Sequence, residues 1–225
     1  KILRNKLSAE QILRCRWIYV WKPIEDKAEQ KKTRKTRKAK ARLVVLGFLD
    51  PALDKVQRDS PTLGRQSRML ILQLIASMNW ELSSFDIKAA FLQGRTQEGR
   101  VAIEPVPEMA KAMQLETTEV CKLAKSAYGL IDAPFLWYQE LDRTLRSLSF
   151  IPSPFDPTVY VLYEPETTQI AGIIGVHVDD GLCGGNAYFK TKLAELEKIF
   201  PFGSKKVQTF TFTGIDMHQN SNFSI

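Results

Sequence analysis

The sequence predicts an α+β fold built on an antiparallel sheet. Segments with a helical pattern and segments with an extended pattern alternate along its 225 residues. Short apolar strands flank a polar turn near residue 165 and an acidic turn at residues 179–180, which is typical of antiparallel hairpins. The hydrophobic content of 44% provides a full core, in one large domain or two small ones.

The N-terminal part predicts two strands around a basic connection. Residues 16–22 (RWIYVWK) are rich in aromatic and β-branched side chains and precede Pro23, and residues 43–46 (LVVL) resume the extended pattern. Between them, residues 31–42 (KKTRKTRKAKAR) contain almost no apolar side chain. Such a run is either a solvated loop or a hairpin tip that contacts phosphate, and its position between two strands favours the phosphate contact.

The middle of the chain predicts helices around a strand that ends at a carboxylate. Residues 60–62 (SPT) predict a helix start, and residues 68–78 are apolar on nearly every face, which predicts a buried helix. Residues 80–85 predict a strand that delivers Asp86 at its end. Residues 87–92 then predict a helical segment that stops at Gly94.

Further elements are predicted in the rest of the chain by the same rules of periodicity. They are short strands at 101–106 and 120–123, a loop at 126–134, a helix from Pro134 to about Leu148, strands at 158–163 and 170–178, a helix at 187–200, and a strand at 209–217 that passes through Gly214.

The adjacent carboxylates Asp179 and Asp180 have the clearest chemical character. Two like charges between buried strands require neutralisation, and a hard divalent cation such as Mg²⁺ accepts carboxylate oxygens. Read alone, Asp-Asp-Gly is more often a solvated hairpin turn. Phosphoryl transfer with two metal ions about 3.5–4 Å apart needs acids from at least two strands. Asp86 has the right chemistry, although sequence separation does not reveal distance in space.

Composition excludes several other kinds of site. Cys15, Cys121 and Cys183 are widely spaced, which argues against a disulfide framework or a zinc site. His177 and His218 are the only histidines, so metal binding through histidine and a Ser-His-Asp triad are disfavoured. The net charge of +7 favours a polyanionic partner. No run is long enough to span a bilayer.

Six blocks in a fixed order identify a resemblance. They are KARLVVLGF (40–48), SPT (60–62), WELSSFDIKAAFLQG (80–94), VCKLAKSAYGLIDAPFLWY (120–138), VHVDD (176–180) and FTGIDMH (212–218). Together they resemble the reverse transcriptase of copia-type LTR retrotransposons over nearly the whole chain. The resemblance implies RNA-directed DNA polymerisation on a right-hand polymerase fold. The fingers would be roughly residues 1–79 and 95–125, and the palm, with an antiparallel sheet packed on helices, roughly 80–94 and 126–225.

The resemblance also implies the catalytic residues and their cofactor. Asp86, Asp179 and Asp180 would be the catalytic metal ligands, with the carbonyl of Ile87 as an added ligand. They would hold two Mg²⁺ ions, for which Mn²⁺ can substitute. Lys205 or Lys206 is the candidate general acid for the leaving pyrophosphate, although a Lys-Lys turn is more often only surface.

Nucleotide and primer contacts are implied in the same way. Arg42 and, more weakly, Lys40 would bind the incoming triphosphate, and Phe91 would exclude a 2′-hydroxyl, although its spacing fits an ordinary core residue equally well. Gly129 and Asp132 lie in the loop expected beneath the nucleotide. The segment Phe212, Thr213, Gly214 and Ile215 would form the primer grip, a hairpin that presses the primer end towards the acids.

Three departures from the family pattern qualify the expectation. His177 stands where Tyr is usual, and Asp132 and Phe135 replace the usual Gln and Arg of the loop, which brings negative charge near phosphates. We also expect no thumb or RNase H segment within the chain. A relic that only binds nucleic acid through the basic hairpin is the alternative reading, and a different Mg²⁺-dependent enzyme, such as a nuclease, is a second.

The expected partners follow from the resemblance. They are an RNA or DNA template with its primer, a deoxynucleoside triphosphate, and the integrase and RNase H domains of a parent polyprotein, with no membrane. The expected location is intracellular, in a cytoplasmic retroelement particle or the nucleus.

Overall fold

The computed structural model describes residues 1–24, 36–95 and 101–225. By its contacts the chain divides into two compact units, one of residues 1–58 and 95–133 and the other of residues 59–94 and 134–225. These are called the first unit and the second unit. Their assignment to fingers and palm stays a prediction. No helix within the described ranges combines the length and the apolar composition needed to cross a bilayer.

The elements confirm the mixed α and β composition that the sequence predicts. The helices are α1 (Arg65–Ser77), α2 (Pro107–Ala112), α3 (Ala133–Ser147) and α4 (Ala187–Ile199). The strands are β1 (Ile2–Leu3), β2 (Ile12–Pro23), β3 (Arg37–Val45), β4 (Ser83–Ile87), β5 (Ala102–Glu104), β6 (Glu119–Lys122), β7 (Ile151–Pro152), β8 (Val159–Tyr163), β9 (Ile170–His177), β10 (Asp180–Gly185), β11 (Phe202–Val207), β12 (Thr209–Phe212) and β13 (Ile215–His218).

The first unit contains a five-stranded sheet in the order β1-β6-β5-β2-β3. Strand β2 pairs antiparallel with β3 and parallel with β5, so this sheet is mixed. The predicted strand at residues 16–22 lies inside β2. The basic run of residues 31–42 continues into β3, and its residues 31–35 lie outside the described part of the chain.

The second unit is built on a six-stranded sheet in the order β11-β4-β10-β9-β8-β7. Every neighbouring pair in this sheet is antiparallel. Strand β4 therefore lies between β10 and β11, and its side chains alternate between the two faces of the sheet. The strand that ends near Asp86 is thus an inner strand of the sheet.

Each face of this sheet carries its own hydrophobic core. The first core combines α3 and α4 with one face of the sheet: Trp137, Leu141 and Leu145 from α3, Phe189, Leu193 and Leu196 from α4, and Phe85, Ile87, Ile174 and Val176 from the strands. The second core covers the other face with α1 and the β12–β13 hairpin: Leu63, Ile71, Ile75, Ile173, Leu182, Phe210, Phe212 and Met217. Both cores pack on one sheet, so its strands are fixed from two sides.

Three sequence expectations about helices are wrong in detail. Helix α1 begins at Arg65 rather than at residues 60–62, because the chain stays extended to Gly64 and buries Leu63 in the second core. Only Ile71 and Ile75 of this helix are buried, so the helix is not surrounded by the core as predicted. The segment after Asp86 forms a single 3₁₀ turn at Ala90–Leu92 instead of an α-helix.

The prediction of a single strand at residues 209–217 is also wrong, because these residues form a hairpin. Thr213 and Gly214 have φ values of 48° and 79°, and Phe212 pairs with Ile215 across them. Positive φ at both central residues is the pattern of a type I′ turn, for which Gly is well suited at the second position. The residues alternate on both sides of Gly214, so periodicity alone reads them as one strand.

Strand β11 (Phe202–Val207) is an element that the sequence does not predict.

Helix α4 packs closely on the sheet because two paired glycines face it. Gly172 in β9 pairs with Gly185 in β10, and a Cβ on Gly172 would lie 2.2 Å from the Phe189 ring. A Cβ on Gly185 would lie 2.3 Å from the same ring. Real Cβ contacts are not this short, so the Phe189 ring occupies the space that a side chain at either glycine position would need.

We therefore expect Gly172→Ala to lower the free energy of unfolding by about 1–3 kcal/mol through overpacking. Gly64→Ala is the control, because the nearest atom to its Cβ would be 3.6 Å away and only a helix cap changes, at about 0.5 kcal/mol. Urea unfolding measures both. Equal values for the two variants would contradict the packing described for Phe189.

Candidate active site

Three aspartates from two separate parts of the chain form one cluster. Asp86 is in β4, Asp180 is the first residue of β10, and Asp179 directly precedes it. One carboxylate oxygen from each lies within 4.8 Å of the others. It is the only group of this kind found in residues 1–24, 36–95 and 101–225. These three residues are called the acid cluster.

The register of the sheet brings the acid cluster together. Asp86 is the direct Cα partner of Asp180 in the antiparallel pair of β4 and β10. Side chains directly opposite each other in such a pair lie on the same face. The neighbours of Asp86, Phe85 and Ile87, are buried in the first core, so alternation directs the Asp86 carboxylate to the opposite face. All three acids are partly exposed, which leaves them accessible to a cation.

A strained turn presents Asp179. His177 pairs with Asp180, which leaves Val178 and Asp179 as a two-residue turn. Val178 has φ 60°, a conformation that a β-branched residue rarely adopts. Two hydrogen bonds hold the turn: Trp137 donates from Nε1 to the Val178 carbonyl at 2.7 Å, and the Ile87 amide donates to the Asp179 carbonyl at 2.9 Å. Strain of this kind persists only where the surroundings determine it.

The electrostatics of the cluster favour a cation. Burial, and then the charges of Asp179 and Asp86, raise the pKa of Asp180 to about 6, while Lys206 lowers it. At neutral pH the carboxylates therefore repel one another. Oxygen donors without His or Cys are the ligands that Mg²⁺ and Mn²⁺ prefer. The residues present thus fit hard divalent cations.

The two candidate general acids lie differently in β11. Lys206 pairs with Ser84, which is two residues from Asp86 and on the same face of β4. Its positive charge partly offsets the rise in the pKa of Asp180 that burial and the two neighbouring aspartates cause. Lys205 pairs with Phe85, whose side chain is on the opposite face. Of the two lysines, Lys206 is the one near the acid cluster.

Within the first unit, Arg42 lies against the loop that contains Gly129. The Arg42 guanidinium is 5.8 Å from the centre of the Tyr128 ring, which is a cation–π contact. The Val45 amide donates to the Tyr128 carbonyl at 2.7 Å. Gly129 has φ 90°, and a Cβ there would lie 2.1 Å from the Val45 carbonyl oxygen. The end of β3 and this loop therefore touch through their backbones.

The two other nucleotide candidates of the first unit differ in exposure. Lys40 is exposed in β3, two residues from Arg42 and on the same face of the strand. Asp132, which replaces the usual Gln, is buried with 6% of its surface exposed. The negative charge expected near phosphates is thus largely withdrawn from solvent.

The remaining candidates belong to the second unit. Phe91 is partly buried and packs against the first core. Phe212 is buried in the second core, whereas Ile215 is 42% exposed. Arg68 of α1 donates from Nη1 to Thr213 Oγ1 at 3.1 Å, which ties the tip of the β12–β13 hairpin to the helix.

Comparison with known proteins agrees with this geometry. The model of one family, described as reverse transcriptase (RNA-dependent DNA polymerase), matches residues 6–224. The chain belongs to this family. The resemblance to copia-type elements is confirmed as well, because the relatives that match are transposon proteins of that type.

The named relatives of this reverse transcriptase chain are polyproteins. It is 35% identical over 175 residues to the retrovirus-related Pol polyprotein from transposon TNT 1-94 of Nicotiana tabacum, covering 77% of this chain and 12% of the relative. It is 32% identical over 176 residues to those from transposons RE1 and RE2 of Arabidopsis thaliana, covering 78% of this chain and 11% of each relative. The matched region therefore spans about one tenth of the length of these relatives.

Trp137 is a residue of the candidate site that sequence reasoning missed. Its position on the apolar side of α3 predicts a core residue, and it is indeed 1% exposed. A buried Trp usually needs a partner for its indole N–H, and this was the available signal. Periodicity cannot name that partner, because the Val178 carbonyl is 41 residues away in sequence.

We expect Trp137→Phe to weaken the acidic turn. The change leaves the Val178 carbonyl without its indole donor, so the free energy of unfolding should fall by about 1–3 kcal/mol. Hydrogen exchange at the Ile87 amide, which donates to Asp179, should become faster. Urea unfolding and amide exchange detected by NMR measure the two effects.

Tyr138→Phe is the matched control for this variant. It removes the neighbouring bond from a side chain of α3 to a backbone carbonyl, that of Pro157, at an exposed position. We expect a smaller loss of stability and no change at Ile87. Unchanged exchange at Ile87 in Trp137→Phe would show that the indole does not hold the turn.

Proposed function

We propose that this chain is the polymerase core of a retrotransposon reverse transcriptase and adds deoxynucleotides to a primer 3′-hydroxyl. The observation that carries the proposal is the acid cluster, in which Asp86 meets Asp179 and Asp180 within 4.8 Å. Membership of the reverse transcriptase family supports the same reaction. A fold with fingers at roughly residues 1–79 and 95–125 and a palm at roughly 80–94 and 126–225 belongs to this proposal.

The acid cluster would hold two Mg²⁺ ions, with the Ile87 carbonyl as an added ligand. When bound, such ions activate the attacking hydroxyl and stabilise the charge on the leaving oxygen. The contribution of the protein is to hold three carboxylates close together despite their repulsion. The sheet register fixes Asp86 against Asp180, and Trp137 and the Ile87 amide hold the turn that carries Asp179.

Arg42 is the residue we propose for the triphosphate, with Lys40 in support. The planar guanidinium fits phosphate through paired hydrogen bonds, and the contact with the Tyr128 ring restricts its orientation. Gly129 has no Cβ, and its backbone lies close to β3 for that reason. The same lack of a side chain would let the loop backbone approach the nucleotide. Asp132 belongs to the same loop and would act from a buried position.

The remaining roles fall to residues of the second unit. Lys206, rather than Lys205, would protonate the leaving pyrophosphate, because its charge reaches Asp180. The β12–β13 hairpin, with Phe212, Thr213, Gly214 and Ile215, would grip the primer. Its fixed point is the second core, where Phe212 is buried.

The proposed partners follow from this reaction. They are an RNA or DNA template with its primer and a deoxynucleoside triphosphate. The relatives are named Pol polyproteins and are much longer than the matched region, so we also propose integrase and RNase H domains as covalent neighbours in the parent protein.

We expect Asp179→Asn to abolish primer extension on poly(rA)·oligo(dT) with Mg²⁺. The amide lacks the charge that a hard cation requires, whereas the fold should keep its stability because a repulsive charge is removed. Extension by gel electrophoresis and thermal unfolding without divalent cation measure the two effects. The control Glu197→Gln removes an exposed carboxylate from α4 and should keep full activity.

Equal extension by Asp179→Asn and the parent chain would overturn the polymerase assignment. If the parent chain binds primer–template in a salt-dependent manner but neither extends it nor responds to Mg²⁺, a relic that only binds nucleic acid is the correct reading. Cleavage of labelled nucleic acid without nucleotides would indicate a nuclease instead.

A second expectation concerns the choice of sugar. If Phe91 packs beneath the deoxyribose, Phe91→Ala should raise the relative use of ribonucleotides by about 10- to 100-fold, because it opens room for a 2′-hydroxyl. The measurement is kcat/KM for dTTP and UTP on the same primer–template. Phe155→Ala, at a residue that is 96% exposed, is the control and should leave the ratio unchanged. An unchanged ratio in Phe91→Ala would leave that residue as part of the core only.

A further inference from the structure

Strand β11 carries an irregularity beside the acid cluster. Phe202 pairs with Ile87 and Ser204 pairs with Asp86, so Gly203 is an extra residue opposite β4. This is a β-bulge, a feature that is frequent next to active sites because it re-aims a neighbouring side chain. The bulge lies at the strand position that delivers Asp86.

Gly203 leaves open the space that the Asp86 carboxylate occupies. A Cβ on Gly203 would lie 2.2 Å from Asp86 Oδ2 and 3.4 Å from Asp86 Cγ. It would also lie 3.3 Å from Cγ of Lys88. A carbon and an oxygen that are not bonded to each other do not approach to 2.2 Å, so a side chain at this position and the present Asp86 conformer exclude each other.

Backbone conformation does not account for this glycine. Positive φ values among the glycines of the described residues occur at Gly129 and Gly214, and not at Gly203. Alanine can therefore adopt the backbone of Gly203 without the strain of the left-handed region. The requirement for glycine arises from the contact with Asp86.

The contact would be relieved by moving Asp86 rather than the strands. Strand β11 is anchored by Phe202, whose ring stacks on Phe85 with centroids 4.4 Å apart. Strand β4 is paired on both sides, by β10 and β11. The Asp86 carboxylate, in contrast, is the end of a short side chain that can rotate about χ1. A Cβ on Gly203 should therefore displace the carboxylate from its present position in the acid cluster.

We propose that Gly203 is a positioning residue, whose missing side chain keeps the Asp86 carboxylate in the acid cluster and so sets the affinity for the divalent cation. This inference rests on the proposed function, because it takes Asp86 as a cation ligand. Its effect is on the geometry of the ligand set and not on the stability of the sheet.

The test is equilibrium binding of Mn²⁺, followed by electron paramagnetic resonance, without nucleotide or primer. We expect Gly203→Ala to raise the dissociation constant by about 10- to 100-fold, as is typical when the support of a metal ligand is lost. Gly203→Val should raise it at least as much. Ser204→Ala is the matched control in the same strand, since it removes only an exposed hydroxyl, and should bind like the parent chain.

A double-mutant cycle shows whether the effect passes through Asp86. Asp86→Asn alone should weaken Mn²⁺ binding, and adding Gly203→Ala to it should cause little further loss. Full additivity of the two losses would overturn the proposal. Binding by Gly203→Ala that equals the parent's would overturn it as well, and would leave the proposed function intact.

Thermal unfolding in a chelator separates positioning from folding. Gly203→Ala should melt within a few degrees of the parent chain and well above Gly172→Ala, which contacts a core ring. If Gly203→Ala is as unstable as Gly172→Ala, and Asp86→Ala does not restore it, the clash is with the fold and the proposal is wrong. If the parent chain itself binds no Mn²⁺ at the acid cluster, the proposed function fails together with this inference.

Discussion

The pairing of β4 with β10 is the constraint on which the candidate site depends. It sets Asp86 directly opposite Asp180, although 93 residues lie between them in the sequence. A shift of one residue would turn Asp86 into the first core and expose Phe85. The register is held by the hydrophobic side chains on both faces of β4 and β10. Burial in two cores therefore determines where the charges lie.

The close approach of three carboxylates is energetically unfavourable by itself, and the packing of the surrounding residues offsets this cost. Burial and the neighbouring like charges raise the pKa of Asp180, and Val178 adopts a conformation that a β-branched residue avoids. The two features are adjacent, because Asp180 directly follows the turn of Val178 and Asp179, whose carbonyls accept hydrogen bonds from the Trp137 indole and the Ile87 amide. Strain and repulsion at one point of an otherwise regular sheet are typical of functional sites. A bound cation would remove the repulsion that the metal-free protein tolerates.

Small residues recur where side chains or backbones must approach closely. Gly172 and Gly185 admit the Phe189 ring, Gly129 admits the Val45 carbonyl, and Gly203 admits the Asp86 carboxylate. The first two contacts serve packing and the last lies at the acid cluster, although the steric principle is the same. Composition alone does not distinguish these glycines from turn residues, because what matters is the atom that lies opposite.

The sequence by itself determined the family of this protein and much of its local structure. Apolar, β-rich runs predicted β8 and β9, helical spacing predicted α3 and α4, and six ordered blocks identified the reverse transcriptase family. These features are local, or are carried by residue types in order. Periodicity failed at Gly214, where alternation continues through a turn. It also failed in β11 (Phe202–Val207), a mostly polar strand in which apolar residues do not alternate.

Only the tertiary structure decided which groups meet. It brought Asp86 to the acidic turn, placed Lys206 rather than Lys205 on the face of the acid cluster, and joined the Trp137 indole to Val178. It also revealed that Gly203 faces a carboxylate. Each of these contacts joins residues that are distant in sequence or depends on the face of a strand. Such distances depend on strand order and register, which arise from the packing of the whole sheet.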